Sequence, residues 1–160
     1  MRCLPVLLSA LVAACSTAPD ESLHTVLVGF ESAITEADVL ALRDVGGSVQ
    51  YRFPLARSVS LRTDVPATAY VAVPNVVRAL DLGAAENPMV SVFIHLAGPV
   101  SAADAADDVA FVEARGARSV YLAEETGVIA AIMPLARVRE LELRGTFVSV
   151  SVSLESDTIQ

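Results

Sequence analysis

The sequence predicts an α+β fold in which a β-α-β-β-α-β run occurs twice. Three observations carry this expectation. Capped helix starts recur at Thr35-x-x-Asp38 and Ser101-x-x-Asp104, each ahead of apolar residues at helical spacing. Short Val-, Ile- and Phe-rich runs alternate with these helices and stop at Gly or Pro. The halves also superpose in sequence. Thr35-x-x-Asp38 matches Ser101-x-x-Asp104, and Ser48-Val49 matches Ser119-Val120. Pro74-x-x-Val77-Arg78-x-Leu80 resembles Pro134 followed by Val138-Arg139-x-Leu141.

The elements follow in order. Thr25-Val-Leu-Val-Gly-Phe30 is a strand by its β-branched and aromatic content. Thr35 caps a helix whose Val39, Leu42 and Val45 lie on one face, and Gly46-Gly47 ends it. Ser48-Val-Gln-Tyr-Arg-Phe53 alternates as a half-buried strand. Leu55 to Val65 reads as an insertion, with Ser58 to Arg62 as an extra hairpin arm. Thr68 to Val73 reads as a strand and Pro74 to Leu82 as a short helix with Val76, Val77 and Leu80 on one side. Asn87-Pro88 turns into a strong strand, Met89 to Leu96.

The second run starts after Gly98-Pro99. Ser101 caps a helix lined by Ala105, Val109 and Val112 that ends near Gly116. Arg118 to Ala123 and Val128 to Met133 are strands about the Glu125-Thr126-Gly127 turn. Pro134 opens a helix through Leu143. Phe147 to Leu154 is the last strand, with Val and Ser alternating from Val148 to Ser153. This is the ferredoxin-like order in tandem: an antiparallel sheet with two helices on one face, in each repeat. Met89 to Leu96 then has to close the first repeat and open the second, so the strand at 89–96 is expected to be shared, or one copy to lack a strand.

The N-terminus predicts export. Arg2 precedes the apolar stretch Leu4 to Ala14, too short for the about 20 apolar residues that span a bilayer core but right for a signal-peptide core. It ends in Val12-Ala13-Ala14-Cys15, which resembles the bacterial lipobox: an aliphatic residue, two small ones and the cysteine that takes a diacylglycerol. The resemblance implies cleavage before Cys15 and lipid attachment at Cys15. The chain is therefore expected to be secreted across the inner membrane and held in the cell envelope by its lipid. Ser16 is not the Asp that retains lipoproteins at the inner membrane, which points to the outer membrane, facing the periplasm, if the source is Gram-negative. The expected divisions are 1–14 signal peptide, 15–23 tether, 24–96 first repeat, 97–155 second repeat and 156–160 tail.

Composition narrows the function. Hydrophobic residues make up 54% of the chain, enough for a real core, and with no Trp that core is aliphatic. The only cysteines are Cys3 and Cys15, so the mature part has no disulfide to rely on. Every basic residue is Arg, and 11 Arg face 19 Asp and Glu for a net charge of −8. No basic stripe is present, which disfavours nucleic acid and anionic lipid headgroups as partners.

Residues 25 to about 94 resemble the inhibitor I9 family, the subtilisin-propeptide-like domains. Val26-x-Val28-x-Phe30 is similar to the opening strand, and Thr35-Glu36-Ala37-Asp38 with Leu42 to the first helix. Gly46-Gly47-Ser48-Val49-x-Tyr51-Arg52-Phe53 resembles the Gly-Gly and second-strand segment. Ala72-Val73-Pro74 with Val77 and Leu80 is similar to the strand-to-helix passage, and Asn87-Pro88-Met89-Val90-x-Val92 to the turn into the last strand. The resemblance implies a ferredoxin-like fold and inhibition, or chaperoning, of a secreted subtilisin-type serine protease in trans. It implies a cleft-binding C-terminal tail, here Asp157, Thr158, Ile159 and Gln160.

No catalytic chemistry is expected. His24 and His95 read as structural or exposed, and no HExxH, CxxC or Gly-rich phosphate loop occurs. Asp107-Asp108 and Glu124-Glu125 read as solvated charge, because adjacent residues point apart. The expectation is a protein that is no enzyme and uses no metal and no cofactor. Besides inhibition, two functions remain open: a non-catalytic interaction module of the envelope, whose strand Phe147 to Leu154 is an edge for a partner strand, and a small-ligand sensor between the repeats.

Overall fold

The computed structural model describes residues 23–153 of the 160. Cys15 and the tail residues Asp157, Thr158, Ile159 and Gln160 lie outside the described residues. The elements are β1 (His24–Phe30), α1 (Glu36–Asp44), β2 (Ser48–Phe53), β3 (Ser58–Thr63), α2 (Ala67–Tyr70) and β4 (Val76–Asp81). They continue with β5 (Met89–His95), α3 (Ala106–Glu113), β6 (Arg118–Ala123), β7 (Val128–Pro134), α4 (Leu135–Val138) running into a 3-10 segment (Arg139–Leu143), and β8 (Ser149–Ser153). They form two four-stranded antiparallel sheets, in the orders β2-β3-β1-β4 and β6-β7-β5-β8. Among the described residues, no helix is long and apolar enough to cross a membrane.

Local chemistry explains the helix entries. Thr35 caps α1 with a full capping box: its hydroxyl accepts from the Asp38 amide, and the Asp38 carboxylate accepts from the Thr35 amide. Gly46 ends the helix at φ +111°, and Gly47 has no room for a Cβ against Leu61, the Leu42 carbonyl and Tyr70. Ser101 repeats half of this device: it accepts from the Asp104 amide, but regular helix starts only at Ala106.

Between residues 55 and 82 the structure corrects the sequence expectation. Ser58–Thr63 is no extra arm; it is β3, paired to both β1 and β2. Thr68 to Val73, expected as a strand, holds the single-turn helix α2 behind Pro66. Tyr70 is fully buried there and donates to Thr63 Oγ1 at 2.8 Å, so tertiary burial outweighs its β-propensity. Pro74 to Leu82, expected as a helix, becomes β4. Asn75 at φ +68° breaks any helix, and Val76 and then Arg78 to Asp81 pair along the edge that β1 offers, with Val77 at a register shift.

The shared strand thereby disappears. β4 closes the first sheet, and Met89–His95 belongs to the second sheet alone. A boundary at 96/97 would cut the second sheet; the change from one sheet to the other falls between Asp81 and Met89. The repeat match of Pro74 with Pro134 shifts too. Pro66 is the counterpart of Pro134, each at the N-terminus of a one-turn helix after the third strand.

Two apolar clusters hold the fold. Val26, Val28, Phe30, Leu42, Val59, Leu61 and Tyr70 pack between the first sheet and its helices. The larger cluster gathers Val92, Ile94, Ile129, Met133, Leu135 and Leu141 on the helix side of the second sheet, and it also takes in Leu27 and Phe53 from the first. β1 therefore buries both faces, whereas β5 alternates buried Val90, Val92 and Ile94 with exposed Met89, Phe93 and His95.

Candidate functional site

The strand registers place one row of side chains across each sheet on the side away from its helices. In the first sheet the row is Tyr51–Ser60–Leu27–Leu80. In the second it is Tyr121–Ala130–Phe93–Ser151. The correspondence extends to detail. A register shift precedes the tyrosine in both, between Val49 and Tyr51 and between Arg118 and Tyr121. A bulge of this kind re-aims the following side chains to the other face. The turns after β2 and β6 have equal length, and Arg57 and Gly127 hold the same positive-φ position in them, at 44° and 62°.

The first row is covered by the second half of the chain. Leu27 is 1% exposed and Ser60 fully buried. The Arg139 guanidinium lies over the Tyr51 ring at 5.7 Å, and the Leu55 amide donates to Glu142 Oε1 at 3.4 Å. Burial pushes the Glu142 carboxyl above the usual carboxylate range, with the Leu55 hydrogen bond opposing. The cover also reaches the outer edge of β8. Val150 donates its amide to the Leu55 carbonyl at 3.4 Å, and Arg78 Nη2 donates to the Val152 carbonyl at 3.0 Å. At these positions β8 is thus not a vacant edge for a partner strand.

The second row has no such cover among the described residues. Phe93 is 38% exposed and Tyr121 66%. They flank a shallow apolar depression floored by Ala130 and bordered by Val128, Ala123 and Ser151. The anchors of the first face are also missing. Glu125 stands in the turn where the first half has Leu55, and Ser149 pairs with His95 where Arg78 pairs with Gly29. The charged side chains lie at the ends of β6: Arg118, exposed and level with Ile132, at one end, and exposed Glu124 and Glu125 in the turn at the other. An exposed aromatic pair over a floor of small residues offers contact area at little entropic cost, which suits binding to a macromolecular surface.

Several other charged groups are paired within the fold. Of the two residues expected as solvated charge, Asp107 and Asp108, only the first is. Asp107 is exposed, and Asp108 is buried and accepts from Arg144 Nε at 2.6 Å and Thr146 Oγ1 at 2.8 Å. Arg115 and Arg144 both face the Phe111 ring, Arg115 at 3.2 Å from its centroid, and Glu140 lies 3.4 Å from Arg115 Nε. His24 pairs with Asp81 at the surface, and His95 lies on the open face. Among the described residues, no group of three or more His, Cys, Asp or Glu gathers as a metal site.

Phe93 and Tyr121 were not singled out by sequence reasoning. Their signal lay in strand patterning: β1 is a continuous apolar run, while β5 alternates, which marks one covered face against two. Of the segments that carry the I9 resemblance, those at 26–30, 35–42 and 46–53 fall on β1, α1 and β2. The other two fall elsewhere than the resemblance implies: Ala72-Val73-Pro74 links α2 to β4, and Asn87-Pro88 leads into the second sheet. No family model, no curated protein and no solved structure matches the chain.

Proposed function

We propose that this chain is a lipid-tethered protein of the cell envelope that binds another protein without catalysis, through the helix-free face of the second sheet. In this reading each sheet with its helices is a ferredoxin-like repeat, and the chain is a tandem of two. The lipid on Cys15 holds it at the membrane, and the tether presents the repeats. The observation that carries the reading is the contrast between rows: the chain buries Leu27 and half-buries Tyr51 with its own second half, yet leaves Tyr121 and Phe93 exposed. An exposed apolar surface that runs from Tyr121 on edge strand β6 across Ala130 to Phe93 on β5 is expensive to leave without a use.

A second reading, inhibition of a subtilisin-type serine protease in trans, draws on one further observation. β8 borders the open face, and the chain runs on from it into residues 154–160. Seven residues reach roughly 20 Å when extended. A protease seated on the face would have Asp157, Thr158, Ile159 and Gln160 within range of its cleft. Residues 16–160 should be titrated against several subtilisin-type proteases. Saturable inhibition that is lost on deleting 157–160 and weakened by Tyr121→Ser supports this reading; no inhibition removes it. The broader reading is tested with a photo-crosslinking residue at position 121 of the full chain in the cells that make it. Absence of any crosslinked product contradicts it.

A further inference from the structure

We infer that the open face of the second sheet pairs with the same face of a second copy of this chain. The inference rests on the binding-face reading above and names its partner. Three features of the face point to self-pairing.

The first is charge arrangement. Along β6 the face runs from Arg118, through the uncharged Tyr121, to Glu124 and Glu125. Two copies related by a two-fold axis lying between the sheets, across the strands, set β6 antiparallel over its partner. Each Arg118 then meets the partner copy's Glu124 and Glu125. A two-fold pairing requires such a self-complementary patch, and it is the commonest way in which identical chains associate. The chain carries a net charge of −8, so its copies repel at most surfaces. The uncharged centre of this face lets them approach without placing like charges opposite each other.

The second is precedent inside the molecule. In the equivalent row, Tyr51–Ser60–Leu27–Leu80, Ser60 and Leu27 are buried, and Leu27 and the half-buried Tyr51 pack in the cluster that the other half of the chain supplies. The third is the loss of the anchors used there. Glu125 in place of Leu55 and Ser149 in place of Arg78 remove the apolar packing of the Leu55 side chain and the Arg78 hydrogen bond to Val152 that help to seat the first face. The second face therefore cannot repeat that head-to-tail docking on the β4 edge of a further copy, which would build open filaments. Closed face-to-face pairing remains. Four strands spaced about 4.8 Å apart give a face roughly 15 Å by 20 Å. Doubled, this is about 600 Å², below the about 1,000 Å² that a specific interface ordinarily clears, so the pair is weak and concentration-dependent.

The contacts of both clusters lie within residues 23–153, so a chain of residues 16–160 keeps the whole described structure. Sedimentation of this chain from about 10 μM to about 1 mM should show a monomer–dimer equilibrium. Tyr121→Ser and Arg118→Glu should each weaken it at least tenfold. Combining Arg118→Glu with Glu124→Arg and Glu125→Arg should restore it, a rescue that only antiparallel self-pairing predicts. A monomer throughout the range overturns the inference, as does a dimer indifferent to these variants. The crosslinker at position 121 separates this failure from that of the binding-face reading. A product of twice the chain mass supports self-pairing. A crosslink to a different protein, or to residues 154–160 of the same chain, overturns self-pairing; the former leaves the face a protein-binding surface.

Discussion

Leu27 and Phe93 occupy the same place in two sheets of the same strand order, and they differ in almost everything that matters to function. Each sits on the first strand, between the third and fourth, on the side without helices. Leu27 is 1% exposed and belongs to a core that crosses between the halves; Phe93 is 38% exposed. The backbone order alone does not decide whether a sheet face is core or surface. The decision lies in the side chains that seat a cover: Leu55 and Arg78 in the first half, and Glu125 and Ser149 in the second.

The comparison can be broken by substitution. Leu27→Ala should destabilise the chain by about 2–4 kcal/mol through lost burial and a cavity. Phe93→Ala should cost less than about 1 kcal/mol, as surface changes do. Paired urea melts check this; equal costs would erase the distinction between the faces.

Smaller effects sharpen it. Arg78→Ala removes a charged donor from the Val152 carbonyl and should cost about 1–2 kcal/mol. Ser149→Ala, the counterpart change, should be nearly neutral. The helix caps give a second pair. Thr35→Ala breaks a complete capping box and should cost about 1 kcal/mol. Ser101→Ala should cost less, because regular helix starts only at Ala106. Thermal melts of the two variants in parallel would show the order.

The smallest effect is on pH dependence. The Thr35 hydroxyl and amide hold the Asp38 carboxyl below its usual value of 3.8. A lowered folded value means that the contribution is complete above the unfolded pKa and is lost as pH falls through the folded one. Thr35→Ala should therefore flatten the decline of stability with acid below about pH 4, measured by denaturant melts across that range.

Much of the fold was legible in the sequence. β1, α1, β2, β5, β6 and β7 stand where capping, alternation and turn residues predict, because each signal there is local. The element assignments failed chiefly at residues 55–82. Val76, Val77 and Leu80 fit a helical face as well as a strand, and Tyr70 and Val71 are good strand formers. Runs this short are decided by tertiary partners: the Thr63 hydroxyl that receives Tyr70, and the free edge of β1 that takes β4. Matching Pro66 rather than Pro74 to Pro134 would have set the repeat in register and removed the shared strand. The Val–Ser alternation of the last strand matches its two faces: Ser151 is exposed while Val150 and Val152 are buried. The open face as a whole was not legible, because its exposure depends on what the other half covers.

The three tyrosines provide the most direct test of the central claim, that the second sheet's bare face is open and the first one's is covered. Tyrosine modification by a water-soluble reagent, at concentrations dilute enough to keep the chain monomeric, should be read residue by residue. The account predicts that Tyr121 reacts fastest, Tyr51 much more slowly under Arg139, and the fully buried Tyr70 only on unfolding. Equal reactivity of Tyr51 and Tyr121 would contradict it.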